Sequence, residues 1–232
     1  KIASGLSSLV LDVKVGNGSF NSTIDIARNL SNSLVRVAKG AGLHCEAILT
    51  DMNQVLGKSA GHTLEILECI KYIKNDFKDH RLEKITNELI SSLLVNIYKI
   101  SKEEAYNKIN TVINNGMAAE KFEKMVVALG GPKNILTSFE KDLTNHSIKK
   151  DIFVNEEGWI EKIYTRELGL ILIELGGGRK QITDKIDYGV GYDNVLNVGD
   201  EINSSTPLLS LYSSKNIDDN LIDKIKGCFI IS

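Results

Sequence analysis

Leu6 to Phe20 reads LSSLVLDVKVGNGSF, and this stretch decides the fold. Leu9 to Val15 is a short run rich in β-branched residues, bounded by polar and glycine residues, as expected of a strand covered on both faces. Gly16-Asn17-Gly18 then allows a tight turn, and Ser22 or Thr23 can cap a following helix. Ile24, Ala27, Leu30, Leu34, Val37 and Ala38 fall at helical spacing, and Gly40 and Gly42 mark the helix end. Cys45 to Thr50 reads as a second strand. The unit is βαβ, which predicts parallel strands joined by a right-handed crossover. Its two loops, Gly16 to Asn21 and Asp51 to Gly61, then lie at the carboxyl ends of the strands, where open α/β sheets bind ligands. A buried strand so near the first residue needs neighbours, so the chain is expected to be the C-terminal part of something longer.

Composition narrows the classes. The 232 residues are 42% hydrophobic and 25% charged, with 28 basic and 30 acidic residues and a formal net charge of −2. That balance supplies no basic face for nucleic acid or an anionic membrane. No apolar run reaches the roughly 20 residues of a membrane span. Cys45, Cys69 and Cys228 are odd in number and far apart, which fits neither a disulfide framework nor a metal knuckle and points to a reducing cytoplasm. His44, His62, His80 and His146 lack metal-motif spacing and read as surface or core residues.

The glycine turn is not a dinucleotide fingerprint, because GxGxxG needs a glycine where Asn21 stands. Gly57-Lys58-Ser59 is not a P-loop either, lacking the upstream glycines. Asp12 and Lys14 share one strand face, and a structural ion pair is the plain reading.

From His62 the pattern is helical for some eighty residues. Leu64, Leu67 and Ile70 line one face; Leu82, Ile85, Leu89 and Leu93 line another. Ser101 and Glu104 form a capping box for a helix with Ala105, Ile109, Val112 and Ile113, closed by Gly116. Phe122, Met125, Val126 and Leu129 continue to Gly130-Gly131-Pro132, and all these stripes read as core. A polar stretch from Asp142 to Asp151 marks a boundary, dividing the chain into residues 1–145 and 146–232. Beyond it, Asn155-Glu156-Glu157-Gly158 between Ile152–Val154 and Trp159–Tyr164 reads as a hairpin. A short helix from Thr165 to Leu175 ends in three glycines beside the solvated pair Arg179 and Lys180, and short strands follow. The fold class is therefore α/β: an incomplete, mostly parallel sheet with flanking helices, followed by a small α+β module.

Four stretches, LVLDVKVGNGSF at 9–20, LTDMNQVLGKSAGHTLEILE at 49–68, NNGMAAEKF at 114–122 and GGGRKQITDKIDYGVGY at 176–192, together resemble the thymidine and pyrimidine-nucleoside phosphorylases. The resemblance is collinear from Lys1 to about Tyr212. It implies a helical domain, a larger α/β domain with the C-terminal module packed on it, and a homodimer. The implied reaction is phosphorolysis of a pyrimidine deoxynucleoside such as thymidine, giving the free base and 2-deoxyribose 1-phosphate, with phosphate as co-substrate and no cofactor required. In the family, the phosphate cradle and the histidine, arginine, serine and lysine around the base precede the position matching Lys1. The resemblance therefore places no catalytic residue in these 232 residues.

Phe20 matches an aromatic residue lining the base pocket. The Leu56 and Ser59 carbonyls and the Glu68 side chain match ligands of a monovalent cation, potassium, found in some members. Oxygen ligands suit such a hard cation. Read from spacing alone, Glu68 is instead a helix-surface carboxylate pairing with Lys71, three residues on. Asp12 and Lys14 match the motif with a scaffolding or closure role, and Asn21 replaces a methionine of the family pattern. An inactive truncated fragment and a pyrimidine-nucleoside phosphorylase of broader specificity are the alternatives. The related anthranilate phosphoribosyltransferases lack the module that starts near residue 150.

Overall fold

The computed structural model describes residues 1–144 and 148–232. The boundary placed at residues 145 and 146, and His146, lie outside the described residues. A short 3₁₀ turn, Ile2–Ser4, precedes strand β1 (Ser8–Val15), helix α1 (Ile24–Gly40) and strand β2 (His44–Asp51). The strands pair in parallel, in register from Ser8 opposite His44 to Val15 opposite Asp51, as the βαβ reading requires. Thr23 caps α1 by accepting the Ile26 N–H, and α1 stops at Gly40.

The sheet holds only β1 and β2 among the described residues, which alters two expectations. β1 is half-buried rather than covered on both faces, with Val13 its one fully buried residue. The α1 stripe divides: Ala27 and Ala38 face the sheet, while Ile24, Leu30, Leu34 and Val37 are exposed. One pair of strands is too narrow to cover both.

Helices α2 (His62–Ile73), α3 (His80–Tyr98), α4 (Lys102–Asn114), α5 (Met117–Ala128) and α6 (Ile135–Thr144) follow. α2 buries Leu64, Leu67 and Ile70 as its spacing predicts. Ser101 caps α4 through the Glu104 N–H, and α4 buries Ala105, Ile109 and Ile113. The stripe on α5 is not core: Met125 and Leu129 are exposed, and Ala119 is the helix's one buried residue.

The C-terminal part comprises β3 (Ile148–Ile152), β4 (Gly158–Ile163), α7 (Thr165–Leu175), β5 (Gly191–Asp193), β6 (Glu201–Ile202), β7 (Leu209–Ser213), α8 (Asp219–Lys226) and β8 (Phe229–Ile231). β3 and β4 do not form the expected hairpin. They enter different antiparallel sheets, ordered β3-β7-β5 and β6-β4-β8. Long-range pairing of β3 with β7, and of β4 with β8, outweighs the local turn signal.

The largest core lies here. Ile152, Ile160, Ile163, Leu168, Tyr192 and Leu211 are almost wholly buried in one cluster, which also takes in Val55 from the loop after β2. Each such side chain contributes about 1.5–3 kcal/mol. A well-packed module thus reaches across the chain to grip the loop that the βαβ unit projects.

Candidate functional site

Two loops leave the carboxyl ends of β1 and β2 side by side. The first is the glycine turn. Gly16 has φ +131°, open to glycine at little cost, and a Cβ there would lie 2.7 Å from Asn53 Oδ1. Ser19 Oγ and Asn21 Nδ2 both donate to the Lys14 carbonyl, at 2.7 and 3.0 Å, so Asn21 closes the turn on itself. Phe20 stands at its tip, 95% exposed.

Beneath the turn, Lys14 Nζ is 2.5 Å from Asp12 Oδ2 and donates to Thr50 Oγ1 on β2 at 3.0 Å. Thr50 Oγ1 in turn donates to Asp12 Oδ1. The charged pair read from the sequence is therefore a three-membered bridge across both strands.

The second loop, residues 52–61, runs onto the C-terminal part. Ala60 and Tyr192 exchange backbone hydrogen bonds at 3.0 and 2.7 Å, and the Val195 N–H donates to the Lys58 carbonyl at 2.9 Å. Lys58 Nζ meets Asp200 Oδ2 at 3.0 Å, and Ser59 Oγ donates to Asp193 Oδ1 at 3.0 Å.

Glu68 sits under this loop, 7% exposed. Its oxygens accept the Lys58 N–H at 2.7 Å and the Ser59 N–H at 3.3 Å. The surface pairing with Lys71 is thus corrected: Gly57 has no side chain, so the loop folds over the carboxylate, and a Cβ on Gly57 would fall 2.4 Å from Glu68 Oε1. Burial pushes the Glu68 carboxyl above its ordinary range, against the lowering effect of the two N–H groups; nearby Asp79 and Asp193 push the same way as burial. Among the described residues no lysine or arginine nitrogen forms an ion pair with it.

Arg81 is the residue that sequence reasoning missed. Its guanidinium donates to the Asp51, Val55 and Leu56 carbonyls at 2.5, 2.5 and 3.3 Å and to Asp51 Oδ2 at 3.0 Å. It stitches the second loop to the start of α3. Its position two residues after Asp79, the cap of α3, is the signal that was available.

A cleft of about 550 Å³ opens beside this region, lined by Lys58, Ser59, Glu68, Lys71 and Asp193 among others. Of the residues matched to a cation site, Glu68 and Ser59 come together here. The Leu56 carbonyl lies on the same loop and already holds Arg81, leaving one lone pair. Glu68 itself is held by the two N–H groups of this loop, at Lys58 and Ser59. Phe20 belongs to the other loop. Among the described residues, no group of three or more His, Cys, Asp or Glu side chains is placed to hold a metal, and no helix is long and apolar enough to cross a membrane.

Two comparisons with known proteins bear on the chain as a whole. Residues 159–232 match the pyrimidine nucleoside phosphorylase C-terminal domain. The chain is 41% identical over 214 residues to a thymidine phosphorylase of Colwellia psychrerythraea, covering 92% of this chain. It spans about half, 49%, of that relative's length. The C-terminal part thus matches the C-terminal domain of the pyrimidine nucleoside phosphorylases, and most of the chain is similar to about half of a thymidine phosphorylase.

Proposed function

We propose that this chain serves the phosphorolysis of thymidine to thymine and 2-deoxyribose 1-phosphate, as part of a homodimeric cytoplasmic enzyme. The observation that carries the reading is the 41% identity to a thymidine phosphorylase across 92% of the chain. In this reaction a phosphate oxygen bonds to the sugar carbon as the bond to the base breaks, and the base leaves with the electron pair. Holding both reactants in line contributes about 7–11 kcal/mol.

In this reading Phe20 presents its ring to the base from the tip of the glycine turn. The exposure of that ring leaves it free to meet a ligand. The Leu56 and Ser59 carbonyls and Glu68 hold a potassium ion, which supplies fixed positive charge beneath the second loop. The phosphate-binding groups come from residues equivalent to the half of the relative that this chain does not match. Residues 1–145 form the remainder of the α/β domain, and residues 146–232 form the C-terminal domain.

The test is phosphate-dependent release of thymine, measured for residues 1–232 and for a protein that also carries the half matching the relative's remainder. The longer protein is expected to release thymine, faster from thymidine than from uridine, and residues 1–232 alone to release none. Replacing potassium with a bulky organic cation should slow the longer protein. A longer protein that leaves thymidine intact overturns the reading.

A further inference from the structure

Helix α7 begins without a cap of its own. Tyr164, at the N-cap position, makes no capping hydrogen bond through its side chain. The first N–H groups of a helix need outside acceptors. Here the acceptor for the Thr165 N–H comes from the glycine turn, 148 residues earlier: Asn17 Oδ1, at 2.8 Å. The same amide donates from Nδ2 to the Ile163 carbonyl at 2.9 Å. An amide engaged through both ends is held in one orientation. Aspartate keeps only the acceptor, and alanine keeps neither.

Other contacts make the tie rigid. The Asn17 N–H donates to Asn53 Oδ1 at 2.9 Å, bringing in the second loop. Gly18 is pressed between that loop and the module: a Cβ there would lie 2.8 Å from the Met52 carbonyl and 2.8 Å from Thr165 Cγ2. Phe20, two residues on, has almost no packing of its own, so its place is set by the backbone of the turn.

We propose that Asn17 is a positioning residue: it locks the Gly16–Phe20 turn to the start of α7, so that the C-terminal module sets where Phe20 meets the nucleoside. The identity of the ligand rests on the phosphorolysis reading above. The lock itself does not.

The experiment uses the longer protein described above, with N17A, N17D and, as a control, D218A. Asp218 caps α8 through the Leu221 N–H at 2.8 Å, within the same module and on a different helix. Hydrogen exchange of residues 16–21 and the KM values for thymidine and phosphate are read for each, with Tm. N17A is expected to speed exchange in the turn and to raise the KM for thymidine roughly tenfold, with the KM for phosphate changed less than about twofold. N17D falls between N17A and the unaltered protein. D218A lowers Tm and leaves the KM for thymidine in place. A thymidine KM for N17A within about twofold of the unaltered protein, or an equal rise in D218A, overturns the proposal. If the unaltered protein releases no thymine, the phosphorolysis reading fails separately. Exchange then decides the lock, and turn amides unchanged in N17A overturn it.

Discussion

Asp12 and Lys14 meet at 2.5 Å on one face of β1, and Thr50 of β2 bonds to both of them. The side chains of the pair are about a quarter exposed, so solvent weakens their attraction without cancelling it. The geometry makes this a shared network. Losses on removing its members should not add.

A double-mutant cycle tests that coupling. D12N and K14M should each destabilise by about 1 kcal/mol, and the double variant by less than the sum, with a coupling of at least about 0.5 kcal/mol. Urea unfolding of the four proteins measures it. Strict additivity would show Asp12 and Lys14 to be independent.

Glu68 gives a pH signature. Its folded-state pKa is raised by burial, so the folded form binds the proton more tightly than the unfolded chain. Its contribution to stability is therefore full below the unfolded pKa of about 4.3 and is lost as pH rises through the higher folded value. E68Q removes that titration and sets an NH₂ against a backbone donor, costing about 1–3 kcal/mol. The stability advantage of the unaltered chain over E68Q should shrink as the pH rises above about 4, measured by denaturant unfolding at a series of pH values. An advantage that grows with pH would show that the two N–H groups outweigh burial.

Lys58 and Asp200 separate a charge effect from a turn effect. Among the described residues Lys58 has one side-chain partner, and the pair is partly exposed, so K58M should cost no more than about 1 kcal/mol and less at high salt. Asp200 Oδ2 also accepts the Asn197 N–H at 2.8 Å. D200A should therefore cost more, about 1–2 kcal/mol, with a part that salt does not remove. Thermal unfolding at two ionic strengths resolves the two parts.

The βαβ unit was readable because its signals are local: Gly16 and Gly18 for the turn, Thr23 for the cap, Gly40 for the stop. Ser101 announced α4 in the same way. The errors came where the deciding partner lies far along the chain. Asn155 to Gly158 has hairpin composition, yet β4 pairs with β8, whose residues come about seventy positions later. Spacing placed Glu68 on a helix surface beside Lys71, but what buries it is the loop above, admitted by the bare Cα of Gly57. Arg81 looked like an ordinary helix residue because its four acceptors belong to another segment. Phe20 and the glycine turn were legible as a motif, whereas the reach of Asn17 to α7 left no trace in either stretch alone.

That reach has a kinetic side. The cap of α7 closes a loop of 148 residues, and closing so long a loop costs entropy before its two hydrogen bonds repay any. The well-packed module and the βαβ unit each contain shorter-range contacts that form first. Docking of the turn onto α7 is therefore expected to follow the formation of both, and it needs the chain to have been made at least as far as Thr165.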